Sequence, residues 1–194
     1  MLAVASIADR LKESMRAAGA YEVEGGGAQR LKELVLAEGR GPMAHSVVNK
    51  AWVGRDAGKI LDAIGISGHG DPRLILVETP AEHPFVWSEL LMPVLALARV
   101  PNADAGIDLA RRAEHGFRHT ASMHSRDVDK LSKMARAINT SIFVKNGPNY
   151  AGLGFGGEGF TSFTIASPTG DGLTTARTFT RPRRCVLVDR FRIV

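Results

Sequence analysis

Glu89 is the residue of this sequence best placed to hold a ligand through its charge, because it lies in a short apolar segment ahead of a continuous apolar run. A carboxylate in apolar surroundings is costly unless it accepts hydrogen bonds. The two hydroxyl donors of a ribose would satisfy Glu89, and so would backbone amides. The residues alone leave both possibilities open.

A glycine-rich segment from Gly154 to Gly159 formally matches the G-x-G-x-x-G pattern of dinucleotide-binding loops. That function requires a strand directly before the loop and a helix directly after it, where the pyrophosphate meets the helix N-terminus. Here a long loop precedes the glycines, and residues 160–165, rich in Thr and Phe, follow them. The pattern therefore favours a loop in which glycine allows close approach of the backbone to a ligand or another segment.

Nucleophilic and metal-ligating side chains are few. The single cysteine, Cys185, lies beside two arginines that would favour a reactive thiol, but the apolar residues after it favour an inert cysteine in a strand. The expected helix ends between His115 and His119. His119 and His124 are five residues apart on an expected strand, so alternation sends their side chains to opposite faces. We therefore expect no metal site, and one cysteine allows no internal disulfide, which fits a reducing cytosol.

The composition is that of a soluble globular protein, with 44% apolar and 23% charged residues. No apolar run reaches the ~18 residues of a membrane-spanning helix, and the first residues lack the basic start of a signal peptide. The net charge of +5 permits an anionic partner, but no nucleic-acid-binding motif accompanies the arginines of the tail. We therefore expect a cytoplasmic protein that binds neither membrane nor nucleic acid.

Hydrophobic periodicity predicts the elements that must position these residues. Helices are expected over 7–19, 28–38, 55–64, 103–115 and 126–137. Strands are expected over 74–77, 94–100, 119–123, 141–144, 185–188 and 191–194. The alternation of strand and helix over 94–144 predicts two successive βαβ units, which favour a parallel sheet in an α/β fold.

Several segments carry a resemblance to a known family. Residues 89–95 resemble the E-x-x-G-P segment of the aldehyde dehydrogenase superfamily, with Met92 where most members have glycine, and residues 155–157 resemble its P-F-G-G loop. Residues 115–121, 143–148 and 176–185 are similar to the CoA-acylating aldehyde dehydrogenases of propanediol and ethanolamine microcompartments.

The resemblance implies a fold, a reaction and a set of site residues. The fold would be a parallel-sheet catalytic domain of the aldehyde dehydrogenase type with a C-terminal β tail for oligomerisation. The reaction would oxidise propionaldehyde or acetaldehyde to an acyl-CoA with NAD, through a covalent adduct on a cysteine. Glu89 matches the glutamate that binds the nicotinamide ribose, Leu91 the side chain that flanks the nicotinamide, and Phe155 an aromatic residue of the aldehyde pocket.

The same resemblance places the nucleophilic cysteine and the dinucleotide domain outside these residues, so that the chain carries no catalytic residue of its own. We expect the C-terminal portion of such an enzyme, with a partial catalytic domain over 1–173 and oligomerisation strands over 174–194. Alone it would be inactive, and in the cell it would be cytoplasmic or inside a bacterial microcompartment. The alternative is a non-catalytic module that docks on a full-length relative by strand addition.

Overall fold

The computed structural model describes residues 1–157, 162, 164–166, 172–186 and 188. Its helices and strands form an α/β arrangement in two compact units, one of residues 1–116 and 132–138 and one of 117–131 and 139–194. In chain order they are β1 (Leu2–Val4), α1 (Ala5–Ala17), β2 (Ala20–Glu22), α2 (Gly26–Val35), β3 (Leu36–Glu38), β4 (Val47–Val48), α3 (Ala57–Ala63), β5 (Leu74–Glu78), α4 (Pro84–Trp87), β6 (Val94–Val100), α5 (Ala103–Ala113), β7 (Thr120–Met123), α6 (Val128–Ile138), β8 (Ile142–Lys145), β9 (Thr164–Ala166) and β10 (Gly172–Thr174).

The first unit is built on a four-stranded sheet in the order β1-β6-β5-β2, and every neighbouring pair is parallel. β5 and β6 are continuous apolar runs because helices cover both of their faces. Leu76 and Leu97 are fully buried on one face, where they pack with Ala8 of α1. The expected parallel α/β fold is confirmed.

The opposite face of the same sheet packs against α2 and α3. Ile75 and Val77 of β5 alternate with Leu76, so they point to this second face and are fully buried there. Leu31 of α2 and Ile60 of α3 complete the cluster, also with no exposed surface. The start of β6 is therefore fixed between two packed layers.

The second unit contains the parallel pair β7–β8 and the antiparallel hairpin β9–β10. α6 connects β7 to β8 along the chain, and its residues 132–138 belong to the first unit. A 3₁₀ helix (Asn149–Leu153) follows β8, and Gly152 packs so closely on Ile142 that a side chain at Gly152 would clash with it. Asn146, at the end of β8, accepts a hydrogen bond from the Ser125 amide (2.8 Å) and donates one to the Ser125 carbonyl (3.0 Å). These bonds close the loop after β7 onto β8.

Two successive βαβ units over 94–144 were expected, and only the second is correct. β7, α6 and β8 form a parallel βαβ unit, but among the described residues β7 pairs with β8 and not with the sheet that contains β6. β1 and β5 occupy both edges of β6, so no edge of that strand is free for β7. The sequence pattern did not predict β1 or β2, which are only three residues long.

The tail differs from the strand expected over 185–188. Residues 180–186 have no regular structure, and Cys185 is exposed rather than buried in a strand. No neighbouring strand pairs with this segment in the part of the chain that the structure describes. The expected strand over 191–194 lies outside the described residues, and the boundary expected between residues 173 and 174 falls within β10.

Charged side chains join the carboxyl ends of three strands to α1. Lys12 Nζ lies 2.6 Å from a Glu22 oxygen and 2.7 Å from a Glu78 oxygen. Arg99 of β6 donates from Nε to Glu78 (2.6 Å) and from Nη2 to Asp9 of α1 (2.5 Å). Because Glu22 and Lys12 are largely buried, each needs its partner to offset the cost of desolvation.

We predict that Glu78→Gln lowers the free energy of unfolding at neutral pH. The free energy of unfolding of the variant should also fall less steeply as the pH is lowered. Hydrogen bonds from Arg99 and then Lys12 lower the pKa of Glu78 from 4.5 to about 2. Its contribution is therefore present above pH 4.5 and is lost as the pH falls toward 2. One third of the side chain is exposed, so solvent screening limits the loss at pH 7 to about 1–2 kcal/mol.

Urea denaturation at several pH values between 2 and 7 measures this effect. The matched control is Glu13→Gln, an exposed residue of α1 outside the network. An unchanged acid dependence in Glu78→Gln would contradict the role given to the network.

Candidate functional site

The loop that leads into β6 presents Glu89 to solvent. Glu89 lies between α4 and β6 and is exposed, whereas Leu90 beside it is buried in the core. Within the described residues the Glu89 carboxylate has no hydrogen-bond or ion-pair partner in this chain. Both of its oxygens are therefore available as acceptors, which is what a ligand with two neighbouring hydroxyl donors requires.

Leu91, two residues further on, has a strained backbone and an exposed side chain. Its φ of +55° lies in the left-handed region that disfavours residues with a Cβ, and its side chain is 59% exposed. Its carbonyl accepts a hydrogen bond from the Gly54 amide at 3.0 Å. Strain at an exposed apolar residue is typical of a position constrained by function.

The helix before this loop is anchored at both ends. Pro84 occupies the first turn of α4, and the His83 side chain accepts a hydrogen bond from the Phe85 amide. Trp87 donates from its indole to the Ala81 carbonyl at 2.7 Å, and its ring packs with Val100 and Leu109. These contacts fix the direction in which the chain enters the loop, so Glu89 and Leu91 lie on a rigid support.

Leu91 also lines an open cleft of about 630 Å³ at the amino ends of β5 and β6. Its walls are residues 54–57 before and at the start of α3, residues 71–73 before β5, and residues 91–93 before β6. Arg55 and Arg73 are its two cationic side chains. Neither arginine stands out in the sequence, because only the folded structure brings their segments together.

His69 fastens the segment that forms the second of these walls. Its Nε2 lies 2.9 Å from the Asp62 carboxylate and its Nδ1 lies 3.0 Å from the Gly70 carbonyl. Hydrogen bonding to Asp62 raises the pKa of His69, because only the protonated ring can donate to both oxygens. The ring also packs against Gly58, where an added Cβ would lie 3.2 Å from it.

Phe155 belongs to the second unit. It follows the 3₁₀ helix after β8, its side chain is 57% exposed, and its ring makes an edge contact with Tyr150 at 6.4 Å. Gly156 has a φ of +69°, and Gly157 packs on the carbonyl of Ala151, so that a side chain there would clash. The glycines thus allow close backbone approach, as expected, although residues 158 and 159 lie outside the described part.

Other expectations for the site concern metals and membranes. In the described ranges no group of three or more His, Cys, Asp or Glu side chains could hold a metal ion. His115 turns instead to the Trp87 carbonyl, 3.1 Å from its Nε2. Every helix that the structure describes is too short or too polar to cross a membrane.

Comparison with curated proteins gives close relatives over the whole chain. It is 52% identical over 194 residues to the acetylating acetaldehyde dehydrogenase of Salmonella typhimurium. It is 45% identical to the CoA-propanoylating propanal dehydrogenase of the same organism. All of this chain is covered in both alignments, but it spans only 41% and 40% of the two relatives. No protein-family model matches the chain.

Solved structures agree with these relatives. Propionaldehyde dehydrogenase from Rhodopseudomonas palustris, with bound propionyl-CoA, has a TM-score of 0.86 at 52% identity and covers 96% of this chain and 40% of its own. An engineered glycolyl-CoA reductase with bound NADP+ also has a TM-score of 0.86, at 51% identity, with 96% of this chain and 41% of that one covered. A propionaldehyde dehydrogenase from the fucose utilisation microcompartment of Clostridium phytofermentans has a TM-score of 0.85 at 43% identity, with coverage of 96% and 41%. The chain is thus homologous to one part of the acylating aldehyde dehydrogenases, which confirms the resemblance.

We predict that Leu91→Asn raises the free energy of unfolding by about 0.5–1 kcal/mol, because asparagine tolerates the left-handed conformation better than leucine. Leu91→Ala is the matched control, since it removes the same side chain but keeps a residue that disfavours this φ. Urea denaturation of the three proteins measures the difference. Equal stability of the Asn and Ala variants would show that no strain is stored at this position.

Proposed function

We propose that this chain, homologous over its whole length to one part of the CoA-acylating aldehyde dehydrogenases, supplies the cofactor and aldehyde contacts of such an enzyme. The reaction is the NAD-dependent oxidation of acetaldehyde or propionaldehyde to the acyl-CoA. The observation that carries the proposal is the 45–52% identity to acetaldehyde and propanal dehydrogenases across all 194 residues. Structures of relatives with bound NADP+ and with bound propionyl-CoA support NAD and CoA as cofactors.

Glu89 would bind the ribose next to the nicotinamide. Its carboxylate is exposed, has no partner among the described residues, and can accept hydrogen bonds from two neighbouring hydroxyls. The nicotinamide, when bound, accepts the hydride from the substrate. Glu89 contributes orientation, because holding the ribose fixes the ring relative to the reacting carbon.

Leu91 would supply an apolar contact to the nicotinamide, and Phe155 would supply one to the aldehyde. The exposed side chain of Leu91 can cover one face of the nicotinamide ring and exclude water from it. The exposed ring of Phe155 can line the pocket for a short aldehyde. The only cysteine, Cys185, lies in the exposed tail, which the resemblance matches to a position other than the nucleophile, so the nucleophilic thiol would come from outside this chain.

A microcompartment is the proposed location. A structural relative belongs to the fucose utilisation microcompartment of Clostridium phytofermentans. Enclosure would retain a volatile, reactive aldehyde until the enzyme oxidises it. The alternative location is the open cytoplasm.

We predict that a fusion restores activity that the chain alone lacks. The fusion joins this chain to the part of the Salmonella acetaldehyde dehydrogenase that it does not cover. With acetaldehyde, CoA and NAD, the fusion should reduce NAD, measured as absorbance of NADH, while the chain alone should not. In the fusion, Glu89→Gln should raise the KM for NAD about tenfold, because a neutral amide accepts weaker hydrogen bonds from the ribose.

The control is Glu82→Gln, an exposed glutamate before α4 to which the proposal gives no role. A correctly folded but inactive fusion would contradict the proposed reaction. Turnover by the chain alone that depends on Cys185 would also contradict it. An unchanged KM for NAD in Glu89→Gln would remove the role given to that residue.

The tail supports a second proposal, that the chain associates with a second copy of itself. Phe179, Val186 and Val188 are 69–75% exposed, although large apolar side chains are normally covered. Arginines at 181, 183 and 184 flank them and are exposed as well. An extended segment with exposed apolar side chains can add to the sheet edge of another copy or of a full-length relative.

We predict that Val186→Asp weakens this association at least tenfold, because the buried charge would have no partner. Sedimentation velocity at micromolar concentrations measures it. Val128→Asp, an exposed valine at the start of α6, is the matched control. A wild-type chain that stays monomeric at these concentrations would contradict association with a second copy.

A further inference from the structure

The segment before β6 is held on its inner side, while Glu89 projects to solvent. Ser88 has an extended backbone, with φ −124° and ψ 139°, and successive side chains of an extended segment point to opposite sides. Ser88 is half-buried, Glu89 is exposed and Leu90 is buried. The exposed carboxylate therefore stands between two side chains that point into the protein, and these neighbours can fix its direction.

A side-chain hydrogen bond joins Ser88 to a loop that is distant in the sequence. The Ser88 Oγ accepts a hydrogen bond from the main-chain amide of Ser46 at 2.9 Å. Ser46 is fully buried, and a buried amide that loses its acceptor is unfavourable because no bulk water can replace it. The amide thus selects the position of the Ser88 hydroxyl, and with it the main chain directly before Glu89.

The loop that carries Ser46 is itself held in place. The Ser46 Oγ accepts a hydrogen bond from the Arg40 amide at 3.4 Å, and the Met43 amide donates to the Glu82 carbonyl at 3.1 Å. β4, which begins directly after Ser46, pairs with β3. The Ser46 amide is therefore a fixed donor, so it can hold the Ser88 hydroxyl in one place.

Two further hydrogen bonds hold the main chain on either side of Ser88. The His115 Nε2 lies 3.1 Å from the Trp87 carbonyl, and the Gly54 amide donates to the Leu91 carbonyl at 3.0 Å. Of these three bonds, the one to Ser88 is made by a side chain of the segment itself. It can therefore be removed by a substitution that leaves the main chain unchanged.

We propose that Ser88 is a positioning residue for Glu89, in which the hydroxyl held by the Ser46 amide directs the carboxylate toward the two ribose hydroxyls. A carboxylate that must meet two neighbouring donors with its two oxygens tolerates little error in direction. Ser88 acts through Glu89 and does not itself contact the cofactor. The inference rests on the proposed function for the role of Glu89, but the bond between Ser46 and Ser88 does not.

The first test is amide hydrogen exchange of the full chain, followed by NMR. Ser88→Ala should speed exchange of the Ser46 amide by about tenfold, because the amide loses its acceptor. Ser88→Thr keeps the hydroxyl and should leave this rate close to that of the wild type. Ser125→Ala is the matched control, because the Ser125 hydroxyl also accepts a main-chain hydrogen bond, from Asp127 at 3.0 Å, but in the second unit.

Backbone relaxation of the same variants measures the effect on Glu89 itself. The order parameter of the Glu89 amide should fall in Ser88→Ala and stay unchanged in Ser88→Thr and Ser125→Ala. Circular dichroism checks that all variants fold. Unchanged exchange of the Ser46 amide in Ser88→Ala would overturn the inference, and so would an unchanged order parameter at Glu89.

The second test measures kinetics in the fusion enzyme. Ser88→Ala should raise the KM for NAD about fivefold, because the carboxylate is less well directed, and should leave the KM for acetaldehyde unchanged. Ser88→Thr should restore the KM for NAD. In the Glu89→Gln background, Ser88→Ala should add no further increase, because the carboxylate that it positions is gone. Independent, multiplying effects of the two substitutions would overturn the positioning role.

The two proposals can fail separately. An inactive fusion, with Ser46 exchange and Glu89 order that both depend on Ser88, would remove the proposed reaction and leave the positioning of Glu89. An active fusion, in which Ser88→Ala has the same KM for NAD as the wild type, would leave the reaction and remove the role of Ser88.

Discussion

The pairing of β6 on both edges is the constraint on which the first unit depends. β1 and β5 lie on either side of it in parallel register, and residues of its two faces enter two different cores. Because β6 cannot shift without breaking both ladders, the residues directly before it are held in place. The loop with Glu89 and Leu91 is such a segment, so the position of the candidate site follows from the pairing of one strand.

Charge is divided between the two ends of the same sheet. At the carboxyl ends, Lys12 and Arg99 pair with acidic residues of β2, β5 and α1, and the network is satisfied within the chain. At the amino ends, Glu89 and Arg55 have no charged partner among the described residues. The paired end contributes stability, whereas the unpaired groups cost little because they are exposed, and they remain available to a ligand.

The sequence predicted the elements whose pattern is local. Residues 74–77 and 94–100 are continuous apolar runs because they are buried on both faces, and helices such as α5 show their periodicity directly. β1 and β2 were not predicted, because a strand of three residues is too short to show a hydrophobic period. They form only through pairing with distant strands. The same reason explains the error at β7, since the occupied edges of β6 cannot be read from the order of elements along the chain.

The candidate site was likewise predicted only where its residues lie together in the sequence. Glu89 and Leu91 could be predicted because they lie in one recognisable segment. The unpaired carboxylate of Glu89 and the left-handed backbone of Leu91 follow from the fold and could not be predicted. Arg55 lies more than thirty positions before Leu91 in the sequence, and no local motif connects them. The hydrogen bond from Gly54 to the Leu91 carbonyl connects them in space, and it has a further consequence. Because this bond ties the main chain at Leu91 to the segment before α3, the entropy cost of ordering the two loops is met during folding rather than during binding.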